Sequence, residues 1–250
     1  MANTLGFQLY TLKQFEGGYE AAFEAVKEMG VTHIEAWCGA VPSDPGSEAM
    51  SMNDMRAALD RNGLKLACGH LAIVDFDERY EEWRDLLLDY GSKHWVVPFA
   101  KPETLDEWLA LLPKFEEMND RMKGDGLKLG YHNHHMELEM MEGKYVFEHL
   151  LDGMPELNAQ FHIAQFLPKR GIDLPSWIKK YEGRVCSLHV NDADAEGNYV
   201  PLGSGACKCE ESIKTALDTG VDTYIVEIML TSETSENIKR DIDYLQGLIG

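Results

Sequence analysis

Eight times along this chain a short run of β-forming residues is followed by a helical stretch and a polar or glycine turn. The runs are GFQLYTL (6–12), THIEAW (32–37), LKLACGHLAI (64–73), HWVVPF (94–99), LKLGYHN (127–133), NAQFHIA (158–164), VCSLHVN (185–191) and TYIVEIM (223–229). Between them lie segments with apolar residues at helical spacing. One is a helix ending on Gly30; another starts on Ser51 as N-cap and stops at Gly63; a long one runs from Thr104 to about Lys123; the last starts near Glu233. Strands separated by helical crossovers pair in parallel. Eight such units in 250 residues predict a single α/β domain over residues 1–250, a closed (β/α)8 TIM barrel. An open doubly wound sheet would carry a glycine-rich phosphate loop after its first strand, and none stands there.

Charge disfavours one class of partner. With 43 acidic against 23 basic residues and a formal charge of −20, the chain lacks the basic surface that phosphate backbones require. Nucleic acid and anionic membranes are therefore not expected as partners. No apolar run is long enough to span a bilayer, and the N-terminus has no secretory pattern, so a cytoplasmic location is expected. The five cysteines, Cys38, Cys68, Cys186, Cys207 and Cys209, are scattered and odd in number, as reduced thiols would be.

In a closed barrel the chemistry gathers at the C-terminal ends of the strands. Glu35 lies there on the second strand, His70 on the third, His132 and His134 on the fifth, and His162 on the sixth. His189 and Asp192 end the seventh, and Glu227 the eighth. Imidazoles and carboxylates are the groups that hold divalent metals and move protons, so their gathering at one rim predicts a metal or catalytic site. Tyr10 and Trp37, near the ends of the first two strands, are candidates to pack on a sugar face. His33, His94 and His149 fall at strand starts or on a helix and read as structural or surface residues.

FQLYTL, GYHNHHMELE, GRVCSLHVND, PLGSGA and YIVEI occur in this order, and the series resembles the sugar phosphate isomerase/epimerase family of xylose isomerase-like TIM barrels, close to its inosose dehydratase and sugar epimerase branches. The resemblance implies one divalent ion held by Glu, Asp, His and Glu from strands five to eight. His189 and Glu227 match the last two. On strand five, His132 occupies the strand end and Glu137 is the nearest acid. On strand six there is no aspartate; His162 takes that place, with Gln165 just beyond. An imidazole there shifts preference toward zinc, manganese, iron or cobalt over magnesium.

By the same resemblance the activity would be isomerisation, epimerisation or a dehydratase or β-elimination reaction on a sugar, keto-sugar or cyclitol through an enediolate. Glu227 or Glu137 would be the base. His70, His134 and Asp192 would bind hydroxyls or relay protons, and Glu35 would help bind substrate. No phosphate cradle is evident, which favours an unphosphorylated small-molecule carbohydrate. A homo-oligomer would fit the barrel class. The alternatives are a phosphodiesterase, opposed by the charge, and a carbohydrate-binding barrel without turnover, motivated by the missing strand-six aspartate.

Overall fold

The computed structural model describes residues 3–12, 18–37, 51–228 and 235–250. Eight parallel strands close into a barrel. They are β1 (Thr4–Gln8), β2 (His33–Trp37), β3 (Lys65–His70), β4 (His94–Val97), β5 (Lys128–His132), β6 (Asn158–His162), β7 (Val185–Val190) and β8 (Thr223–Val226). Each strand neighbours the next in sequence, and β8 pairs with β1 to close the ring. Two short hairpins stand outside the barrel: Met140–Met141 against Lys144–Tyr145, and Asp192–Ala193 against Tyr199–Val200.

The alternation of side chains along a strand explains the division of the interior. Phe7, Ile34, Leu66, Trp95, Leu129, Phe161, Leu188 and Tyr224 are buried in one large apolar cluster with helix residues such as Phe23, Leu59, Trp83, Phe115 and Ile213. A second, separate cluster of Cys68, Val96, Cys186 and Ile225, with Ala67 against it, fills the space enclosed by the strands. Inward positions at the C-terminal end are polar instead: Gln8, Glu35, His70, His132, Gln160, His162, Ser187 and His189 are all buried.

Several local expectations hold. Ser51 accepts a hydrogen bond from Asp54 N and caps Met52–Asn62, which ends at Gly63 in the left-handed region. Others are corrected. β1 stops at Gln8, and Leu9–Leu12 is already helical. The long helix expected from Thr104 is two helices, Leu105–Leu109 and Leu112–Gly124. Pro113 has no amide hydrogen and its ring crowds the preceding turn, so a continuous helix breaks there and restarts with proline in its first turn. Cys38, Met229 and the expected helix start near Glu233 lie outside the described residues. The other four cysteines are free and buried. Among the described residues no helix is long and apolar enough to cross a membrane.

At the opposite rim, burial and Lys65 lower His33 to about 4, and burial and Lys128 lower His94 to about 4. A histidine depressed on folding binds its proton more readily in the unfolded chain. Its contribution to stability is therefore complete above the unfolded value of 6.5 and is lost as pH falls toward 4. Imidazole resonances followed by NMR should show both rings still neutral at about pH 5.5, with midpoints near 4.

Candidate active site

β-Strand register sets the site. His162 of β6 stands opposite His189 of β7, His132 of β5 opposite Gln160 of β6, and Trp37 of β2 opposite His70 of β3. Two bulges adjust the phase. An extra residue in β3 opposite Ile34/Glu35, and another in β7 opposite Ala159/Gln160, turn Cys68 and Ser187 inward beside Glu35 and Gln160.

The result is a convergence of four side chains: one ligand atom each from His132, His162, His189 and Glu227 lies within 4.8 Å of all the others. His162 Nδ1 is 3.2 Å from His132 Nε2 and 3.2 Å from Glu227 Oε2, and His189 Nδ1 is 2.9 Å from the same carboxylate oxygen. Three imidazoles and one carboxylate at this spacing fit a single divalent cation. A second convergence, Glu35, His70 and His189, lies beside the first and shares His189. There the Glu35 oxygens are already occupied, accepting from Cys68 Sγ, Gln160 Nε2, Gln8 Nε2 and the His189 ring.

Electrostatics follows from this packing. Burial opposes charge on His189, but the Glu35 and Glu227 carboxylates on either side hold its imidazolium up to about 10. Burial alone would raise Glu227 and Glu35; their histidine neighbours reverse this and hold both carboxyls below the ordinary range. His132, buried among other histidines, is held far below the usual imidazole range. Burial brings His134 to about 3, so its ring is neutral at any ordinary pH.

Above the cluster opens a cavity of about 250 Å³. His70, His132, His134, His162 and Glu227 form its polar wall with Gln8, Gln165 and Tyr199, while Tyr10, Trp37, Pro98 and Phe99 form its apolar wall. Tyr10 and Trp37 meet edge to face at 5.1 Å. No lysine or arginine lines it among the described residues.

Three residues expected at the site have other positions. Glu137 is not in the ligand cluster: it is fully buried, and its carboxylate accepts hydrogen bonds from Tyr131 Oη at 2.6 Å and His134 N at 2.8 Å. The short helical turn Met136–Leu138 carries it back against the barrel wall, where it fixes the backbone of His134. Asp192 does not line the cavity. Its carboxylate accepts from Ala193 N, Gly203 N, Gly205 N and Cys207 N, so it organises the LGSGA loop. Glu35 lies beneath the cavity wall with no exposed surface and cannot touch a ligand there.

Conversely, polar residues that carry no charge were missed. Gln8, Gln160, Asn133, Asn191 and Tyr199 all tie site groups together. Asn133 Oδ1 accepts from His162 N, Asn191 Oδ1 accepts from Ala164 N, and Tyr199 Oη is 3.1 Å from His162 Nε2. The signal for Gln160 was present in the sequence: it precedes His162 by two residues and so shares its inward face.

A closed (β/α)8 barrel with a histidine-rich, carboxylate-bearing floor at its C-terminal mouth is the class that fold and site define. Solved structures of the same fold are named sugar phosphate isomerase/epimerase and xylose isomerase-like TIM barrel proteins. One, a sugar phosphate isomerase/epimerase from Parabacteroides distasonis ATCC 8503, matches with a TM-score of 0.82 at 20% identity, over 100% of this chain and 96% of its own. The probable 3-DHS dehydratase of Bacillus anthracis matches with a TM-score of 0.73 at 13% identity, over 97% and 98%. A xylose isomerase-like TIM barrel protein from Mycobacterium smegmatis, in complex with magnesium, gives a TM-score of 0.64 at 17% identity, over 99% and 96%. No protein-family model matches the chain, and comparison with curated proteins gives no match. At these identities the likeness establishes the barrel.

Proposed function

We propose that this chain is a metal-dependent isomerase or epimerase, or a related lyase, acting on an unphosphorylated sugar, keto-sugar or cyclitol. The observation that carries this reading is the convergence of His132, His162, His189 and Glu227 at the floor of a small cavity with one aromatic wall. Barrels of the same fold named as isomerase/epimerase and dehydratase support the reaction class. The cavity of about 250 Å³ has room for a monosaccharide-sized ligand. Its described lining lacks the cationic groups that a phosphate would call for.

The four converging side chains would hold the ion, and three imidazoles favour zinc, iron, cobalt or manganese over magnesium. When bound, such an ion supplies a Lewis acid that polarises a carbonyl and favours the enediolate. The remaining roles belong to the protein. Tyr10 and Trp37 offer an apolar wall for one sugar face, and Gln8, Gln165 and Tyr199 offer hydrogen bonds to hydroxyls. His134 lines the cavity as a neutral imidazole, and its Nδ1 has no hydrogen-bond partner among the described residues. That Nδ1 is buried and the ring stays unprotonated, so His134 orients a hydroxyl, and Glu227, the carboxylate that lines the cavity, is the candidate base in place of Glu137. His70 lines the same cavity with both ring nitrogens held, Nε2 by Gln160 and Nδ1 by Gln8, so it shapes the wall.

The test is a screen of keto-sugars and inososes with added manganese or zinc in deuterium oxide, reading exchange of a carbon-bound proton with solvent. Exchange with one class of these compounds is expected. Tight binding of a carbohydrate without exchange would instead favour a barrel that binds without turnover. His134→Gln should weaken substrate binding and raise KM, while metal content stays at the wild-type level.

A further inference from the structure

Glu35 lies too deep to touch a substrate, yet it is the point from which the hydrogen-bond direction of the whole floor is set. An ionised carboxylate only accepts hydrogen bonds. Gln160 stands 2.7 Å from Glu35 Oε1 and must therefore turn its NH₂ group toward it, which points Gln160 Oε1 the other way. That oxygen lies 2.8 Å from His132 Nδ1 and 2.5 Å from His70 Nε2. An amide oxygen only accepts, so each ring must present an N–H there. His132 then carries its proton on Nδ1 and turns the lone pair of Nε2 toward His162.

Gln8 repeats the logic independently. Its NH₂ group also donates to Glu35, its Oε1 accepts from Tyr10 N, and its nitrogen is 3.3 Å from His70 Nδ1. His70 is thus asked for an N–H at Nε2 by one glutamine and for a lone pair at Nδ1 by the other, and the two demands agree. Finally, Glu35 Oε2 takes the Nε2–H of His189 at 2.5 Å, leaving Nδ1 as the atom that faces Glu227.

We infer that Glu35 is a positioning residue which, directly and through Gln160 and Gln8, fixes which ring nitrogen of His189 and His132 faces the ligand cluster and which tautomer His70 holds in the cavity wall. A histidine ligand whose far nitrogen is held by a carboxylate or amide is oriented and tautomerically fixed for metal binding. Here one buried carboxylate does this for two ligands on different strands and for a third ring that lines the cavity. The inference rests on reading the cluster as a metal site.

The experiment compares wild type with Glu35→Gln and Gln160→Met, using zinc alone as the probe. Zinc affinity is read by chelator competition, and imidazole tautomers by long-range proton–nitrogen-15 NMR. Wild type should show His70 and His189 as Nε2–H and His132 as Nδ1–H in the zinc-loaded protein. Each variant should bind zinc about 10- to 100-fold more weakly, the usual cost of losing a supporting partner, and Glu35→Gln, which frees both glutamines, should show mixed tautomers at His70. His70 is outside the four-ligand cluster, so a merely structural role for Glu35 would leave its tautomer unchanged. Unchanged zinc affinity in the folded variants, or His70 as Nδ1–H in wild type, overturns the inference. If Glu35→Gln does not fold, Gln160→Met carries the zinc-affinity arm of the test through His132, and the wild-type His70 tautomer carries the other. A wild type without zinc affinity would overturn the proposed metal-dependent function, and this inference with it, whereas a zinc-binding wild type with unaffected variants would overturn this inference alone.

Discussion

Glu227→Ala should lose its divalent ion and, with it, proton exchange on any substrate. Glu227 is the sole carboxylate in the four-residue cluster, and its Oε2 faces both His162 and His189. Removing it leaves three imidazoles and takes away half of the negative charge that flanks the His189 ring. The loss in affinity should exceed the roughly 10- to 100-fold that follows loss of a supporting partner, because a ligand itself is gone. Glu227→Gln keeps the volume and one acceptor, so it separates charge and ligation from packing; it should also fail to retain the ion at equimolar metal. Metal content by elemental analysis after gel filtration, with folding checked by circular dichroism, reads the outcome. A Glu227→Ala protein with full metal content and full activity would remove this residue from the site.

Asp192→Ala should be the most damaging single change to stability near the site, although Asp192 touches no ligand. Its two oxygens accept four backbone N–H groups from the segment that follows β7, at distances of 2.9–3.3 Å. Each buried N–H left without a partner costs about 1–3 kcal/mol, so a loss of roughly 3 kcal/mol or more is expected even if water rescues the outer ones. The loop packs directly on this carboxylate: a Cβ on Gly205 would collide with Asp192 and lie 2.5 Å from Ala193 O. The denaturation midpoint should fall accordingly, and metal affinity should fall only as far as the hairpin carrying Tyr199 loosens beside His162. Asp192→Ala with wild-type stability and a large rise in KM would instead restore the substrate-binding role expected from the sequence.

Why the barrel was legible and parts of the site were not comes down to the range of the interactions involved. The strand–helix alternation is local, and so are Ser51 and Gly63 at the ends of their helix; propensity and capping carry that information residue by residue. Strand ends likewise located His132, His162, His189 and Glu227. What failed depended on contacts across the barrel. Glu137 reads as an available acid because nothing nearby in sequence reveals that Tyr131 and the His134 amide occupy it. Glu35 and Gln160 are 125 positions apart, and the bulges that bring their surroundings into phase leave no mark in a period-two pattern. Asp192 sits beside a strand end, which suggested a ligand contact, but the glycine-rich segment it binds begins eleven residues later. The glutamines that fix the direction of the floor's hydrogen bonds carry no charge, so a pattern of ionisable groups at strand ends does not include them.

The most direct test of the account is X-ray absorption at the zinc edge of purified protein loaded with zinc and freed of excess metal. One ion per chain is expected, with scattering from three imidazole rings and one carboxylate. A protein that retains no ion, or whose ion shows no imidazole scattering, would contradict it.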